Sequence, residues 1–192
     1  MVARSPIERL LAVRKERGWH PPMRVKCAMP AIDIRPAHES DTPLILHFIR
    51  ELAIYERAEH EVLATEEHIR ATLFGSGPAQ ALICNSAGVD VGFAVYFFNY
   101  STWQGRKGLY LEDLYVTPAH RNTGAGKALL QHLARMAVAE GCGRFEWSVL
   151  DWNEPALQFY RSIGALPMNE WVRYRLAGPA LTEFAGANIS RA

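Results

Sequence analysis

Three cysteines in 192 residues, Cys27, Cys84 and Cys142, are odd in number and widely scattered. They fit neither a disulfide framework nor a zinc spacing, so the chain reads as a protein of a reducing compartment, expected in the cytoplasm. No uninterrupted apolar run of about 18 residues occurs, which excludes a helical membrane span. The seven histidines lack metal-ligand spacing, and no metal is expected. There is no GxxxxGK[ST] phosphate loop and no full GxGxxG dinucleotide fingerprint.

Charge of one sign is also scarce, at a formal net of +1. That balance hides an asymmetry: residues 1–29 carry seven Lys/Arg against two Asp/Glu, and the rest is mildly acidic. An acidic body argues against nucleic acid as a partner and suits a cationic small molecule. The first 30 residues lack the long apolar core of a secretory signal and are expected to be a basic, loosely attached extension. With 49% hydrophobic residues, the remainder, 31–192, is long enough for one domain with a real core.

Apolar patterning from Ile32 onward is regular. IDIR predicts a short strand, and Ser40 or Asp41 can cap a helix built on Leu44, Ile45, Phe48, Ile49 and Leu52. Thr65 opens a second helix running to about Phe74. QALICN and DVGFAVYFFNY predict two strands around Ser86-Ala87-Gly88, and GLYLEDLYV a third. A helix follows with Leu129, Leu130, Leu133 and Ala137 on one face, stopped by Gly141 and Gly143. RFEWSVL then predicts a strand, NEPALQFYRSIG a helix and WVRYRL a last strand. The order β-α-α-β-β-β-α-β-α-β implies a mixed sheet with helices on both faces.

RNTGAG, residues 121–126, stands between the third of those strands and its helix. Glycines that open a helix let backbone N–H groups approach an anion without Cβ interference, and the helix dipole favours negative charge there. Arg121 adds a cation able to bind in bidentate fashion. Together with YER, GFAVYFFNY, YLEDLYV and WNEPALQFY, this stretch resembles the GNAT acetyltransferase superfamily, nearest its diamine (spermidine/spermine-type) branch. The resemblance spans roughly Ile32 to Leu176.

It implies a GNAT fold: a mixed, mostly antiparallel central sheet flanked by helices in three α/β/α layers. It also implies acetyl-CoA as cosubstrate, its pyrophosphate near Arg121, Gly124, Ala125, Gly126 and Lys127. The pantetheine arm would pair with the backbone of Leu114 and Val116 and meet Asn153. Many relatives carry glycine where Asn122 stands. The family further implies direct transfer without a covalent enzyme intermediate, and a homodimer.

Glu112 and Asp113 interrupt an apolar strand, and strict alternation sends them to opposite faces. Burial of an unpartnered carboxylate is costly, so a structural role would require basic partners such as Arg106 or Lys107. Chemistry offers another reason. A primary amine with a pKa near 10.4 is neutral in about one molecule in 10³ at pH 7, a penalty of roughly 4 to 5 kcal/mol, so its attack on a thioester needs a proton acceptor. By resemblance Glu112 is that base, through water, and Asp113 attracts the amine. Asn153 can cap its helix, with Tyr160 two turns on along the same face. In the family that tyrosine is the general acid for the departing thiolate.

Tyr55 and Glu56 match the relatives' acceptor pocket, as do Trp103, Glu170 and Trp171. Aromatic faces with carboxylates suit an alkylammonium. Ser101 replaces an aspartate that polyamine-using relatives carry two positions before that tryptophan, which makes a diamine or a thialysine-like amino acid as good a candidate as spermidine. The alternatives are a protein N-terminal or lysine acetyltransferase and a catalytically silent acyl-CoA-binding module.

Overall fold

The computed structural model describes residues 31–186. The basic extension and Cys27 lie outside the described residues. The elements are β1 (Ile32–Pro36), α1 (Thr42–Tyr55), α2 (Glu66–Leu73), β2 (Gln80–Ser86), β3 (Val89–Ser101), β4 (Arg106–Val116), α3 (Ala125–Ala139), β5 (Phe145–Trp147), α4 (Glu154–Ser162) and α5 (Gly178–Phe184). They form two units, one ending at Trp147 and the other beginning at Ser148.

The first unit is a five-stranded sheet in sequence order β1-β2-β3-β4-β5. β1 to β4 pair antiparallel, and β5 joins β4 in parallel. The β2–β3 turn uses positive φ at Ala87 and Gly88, the geometry that matches strand twist in a two-residue hairpin. Ile45 and Phe48 of α1 and Ile69 of α2 pack on Ile83, Phe93, Val95 and Tyr115 of the sheet. The Phe48 ring lies 5.6 Å from Phe93 and 5.8 Å from Tyr115. Each such fully buried side chain contributes about 1.5–3 kcal/mol. α3 packs against β1, β2, β3 and β4, with Leu129, Leu130, Leu133 and Ala137 buried as its apolar stripe predicts.

Thr65 caps α2 as expected, its Oγ accepting from the His68 N–H at 3.2 Å. Asp41 occupies the N-cap of α1 without capping that helix. Its carboxylate instead accepts from the His38 N–H at 2.8 Å and from both terminal nitrogens of Arg35 at 2.6 and 3.0 Å. Arg35 holds the Asp41 carboxyl below the usual carboxylate range.

In the second unit, the strand expected at WVRYRL does not form. Trp171, Val172 and Tyr174 are exposed, and residues 171–177 form no regular element. Alternation specifies which side chains share a face, yet a strand persists only where neighbouring backbone satisfies its N–H and C=O groups. β5 is likewise confined to Phe145–Trp147 of the predicted RFEWSVL. The short α5, with Pro179 in its first turn, follows that segment and was not expected from the sequence.

Candidate active site

The register between β3 and β4 slips by one residue at the two adjacent carboxylates. Val95 pairs with Asp113 and Tyr96 with Leu111, leaving Glu112 as the extra residue of a β-bulge. Asp113 and Tyr115 share a face with Val95 and Phe93, toward α1. Counting from the other side, Tyr110 pairs with Phe97, two residues from Val95, so Glu112 falls on that face too. The opposite-face expectation is therefore corrected: the bulge cancels one step of alternation and puts both carboxylates on the α1 side.

Asp113 is half-buried, and its carboxyl is pushed up to about 6, first by burial and then by the charges of Glu112 and Glu56. Partial burial also raises Glu56, at the C-cap of α1. Among the described residues neither Glu112 nor Asp113 has a salt bridge, and Lys107 pairs with Glu140. Asp113 thus costs stability when ionised. Its folded pKa exceeds the unfolded value, so the penalty is full above about pH 6 and gone below about pH 4. Asp113→Asn is expected to stabilise the protein by about 1–2 kcal/mol at pH 8 and to have little effect at pH 4. Urea melts at the two pH values measure this, and equal effects at both would refute it.

β5 pairs only with Leu109 to Leu111, so from Glu112 onward that edge of β4 has no ladder partner among the described residues. Beside this open edge lies the start of α3. Asn122 has φ +63 and Gly124 φ +96. Asparagine tolerates the left-handed region better than most residues, so it can stand at this turn position where the family resemblance implied glycine. Gly126 differs from Gly124. Its φ is ordinary, and an added Cβ would come no nearer than 3.9 Å to Leu114 and Val116.

Among the described residues nothing requires glycine at 126, where it costs up to about 1 kcal/mol relative to alanine in a helix. The uncovered Cα faces the end of β4, a cradle that fits close passage of a ligand along the α3 N-terminus. Ala125 is buried, so only its backbone can serve a ligand, while Lys127 is exposed. Gly126→Ala is expected to raise the thermal midpoint of the unliganded protein. It should weaken CoA binding by about tenfold or more, a methyl forced into a filled space costing roughly 1–3 kcal/mol. Calorimetric titration reads the second effect, and unchanged affinity would remove Gly126 from the site.

Arg121, in the turn between β4 and α3, donates from Nε to the Val116 carbonyl at 3.2 Å. Its guanidinium carbon lies 4.5 Å from the Tyr55 ring centre and 5.8 Å from that of Tyr115. The Tyr115 hydroxyl donates to Glu51 of α1 at 3.3 Å. Glu51 and Tyr115 were not expected near the site. The available signal was spacing: Glu51 precedes Tyr55 by one helical turn on the same face.

Trp103, 88% exposed, sits in the turn joining β3 and β4. Asp113 is seven residues down β4 from Arg106, about 23 Å at roughly 3.3 Å per residue, so the chain does not bring Trp103 to the carboxylates. Ser101 is buried, its Oγ accepting from the Gln104 N–H at 3.4 Å, and so shapes the turn. In the second unit Asn153 caps α4, accepting from the Ala156 N–H at 3.4 Å. Tyr160 follows on that helix, its phenol raised by burial. Glu170 and Trp171 are exposed. Cys84 is buried and its thiol pushed up to about 11, which keeps it protonated and inert.

The Acetyltransferase (GNAT) family profile matches residues 46–165. The chain belongs to this family. Its members use acetyl-CoA, and the acetyltransferase is 39% identical over 170 residues to the thialysine N-epsilon-acetyltransferase of Mus musculus, covering 82% of this chain and 99% of the relative. It is 32% identical over 202 residues to an L-ornithine N5-acetyltransferase of Arabidopsis thaliana, with 81% and 89% covered. A Homo sapiens spermidine/spermine N(1)-acetyltransferase-like protein matches at 34% over 169 residues, covering 82% of this chain and 24% of that longer protein. Among solved structures, an integron cassette protein of V. cholerae superposes with a TM-score of 0.68 at 25% identity, covering 80% of the acetyltransferase and 97% of that chain.

Proposed function

We propose that the acetyltransferase moves an acetyl group from acetyl-CoA to the primary amine of a small cationic acceptor: a diamine, a polyamine or a thialysine-like amino acid. One observation carries this reading. A strand bulge gathers Glu112 and Asp113 on one face at the open edge of β4, near the α3 N-terminus, where a Cβ added at Gly126 would come no nearer than 3.9 Å to its neighbours. The relatives' names, thialysine, ornithine and spermidine/spermine acetyltransferases, support the acceptor class.

When bound, acetyl-CoA supplies an activated acetyl thioester. The backbones of Leu114 and Val116 would hold its arm, with Asn153. The N–H groups of Gly124, Ala125, Gly126 and Lys127, with Arg121, would hold its phosphates. Asp113 and Glu56 attract and hold the ammonium form of the acceptor. Glu112 takes a proton from it through water, leaving the nitrogen lone pair able to attack. Tyr160 keeps its proton at neutral pH, delivers it to the departing sulfur and is reprotonated by the second proton that the nitrogen loses as the amide forms. Tyr55, Glu170 and Trp171 would complete the acceptor contacts.

We further infer a cytoplasmic homodimer whose domain spans 31–192, with no metal and no nucleic-acid or membrane partner. Static light scattering at micromolar concentration tests the dimer, and a mass near 21.6 kDa would refute it. A screen of primary amines with detection of released CoA thiol tests the activity. Turnover with short amines or amino acids supports the reading. Turnover restricted to peptides with a free N-terminus or lysine makes the enzyme a protein acetyltransferase. CoA binding with no turnover on any amine makes it a silent binding module.

A further inference from the structure

Arg121 serves two expected subsites with one guanidinium. Its central carbon lies 4.5 Å over the ring of Tyr55, the last residue of α1 and the neighbour of Glu56. Its Nε edge is tied to the Val116 carbonyl at the end of β4. Tyr115 backs it at 5.8 Å and is itself tied to Glu51, so the contact is braced from α1 as well as from the sheet. A planar guanidinium can offer its face to an aromatic ring and its edge to an oxygen at the same time, which a lysine ammonium cannot.

We propose that Arg121 is a positioning residue that couples the acyl-donor site to the amine site through the Tyr55 ring. An anion drawn to the α3 N-terminus fixes the guanidinium, and the guanidinium fixes Tyr55 and the end of α1 beside Glu56. Each ligand therefore raises the affinity of the other by the same factor, as linkage requires. The inference rests on the acetyltransferase reading and adds a route by which the filled donor site prepares the acceptor site.

The test is calorimetric titration with CoA, which lacks the acetyl group and cannot turn over. The titrated proteins are the wild type, Tyr55→Phe, Tyr55→Leu, Arg121→Met and the Tyr55→Leu/Arg121→Met double variant. Tyr55→Leu is expected to weaken CoA binding by about 5- to 20-fold, although Tyr55 lies outside the anion-binding turn. Tyr55→Phe keeps the ring face and should stay within about twofold of wild type. In the Arg121→Met background Tyr55→Leu should cost nothing further, because the partner is already gone. Wild-type affinity in Tyr55→Leu, or its full penalty persisting without Arg121, overturns the coupling. A misfolded Tyr55→Leu would fail in both backgrounds and so counts against it too. A wild type that takes up no CoA overturns the acetyltransferase reading itself, and the coupling with it.

Discussion

Tyr160→Phe is expected to lower kcat by about 10²- to 10⁴-fold, the usual worth of one acid–base group. Burial raises the Tyr160 phenol above its ordinary value, so the proton is in place throughout the neutral range. The substitution removes that proton and leaves the ring, its 5.8 Å packing against Phe159 and the Asn153 cap of α4. CoA affinity should therefore stay close to wild type, placing the loss in kcat. The effect is visible only where chemistry limits turnover, so single-turnover measurement is the right assay. Full kcat in Tyr160→Phe under those conditions would move the acid to another residue.

Glu112→Gln should show a loss that depends on pH. Near neutrality the acceptor is almost wholly protonated, and without an acceptor carboxylate the reaction waits for the rare free amine. The deficit should be largest there, up to about 10²- to 10⁴-fold, and shrink as pH rises toward the amine's own pKa. Glutamine keeps the size of the side chain, and the ladder pairs on either side of residue 112 remain, so stability should hardly change. A constant fractional loss from pH 7 to 10 would make Glu112 an orienting group. Asp113 offers an internal comparison, since its carboxyl, pushed up to about 6, loses its charge on the acid side of the profile.

The alternation of LYLEDLYV made a strand with two misplaced carboxylates plain in the sequence. Their shared face went unread, although the step of three from Leu111 to Leu114, in a strand whose other apolar positions alternate by two, was the mark of the bulge that pairing with β3 makes explicit. RNTGAG was equally legible as a glycine-bearing turn that opens a helix. Distinguishing the glycine the backbone needs, Gly124 at φ +96, from Gly126, which the chain does not need, took the position of a Cβ that is absent. Arg121 was read as a phosphate ligand from its type and place, and spacing could not show the Tyr55 ring against it. WVRYRL failed for the reason that defeats any isolated strand: its pattern carries no information about a neighbour.

The bulge has a further consequence for how this enzyme can change. Residue 112 is the one position between Leu111 and Asp113 that the β3–β4 ladder leaves unpaired, while both neighbours are locked to Tyr96 and Val95. Its side chain can be exchanged without shifting the register of the sheet, and its backbone is still anchored on both sides, as a loop residue's is not. This position can therefore change by single substitutions, each of which leaves the fold's own sequence requirements untouched.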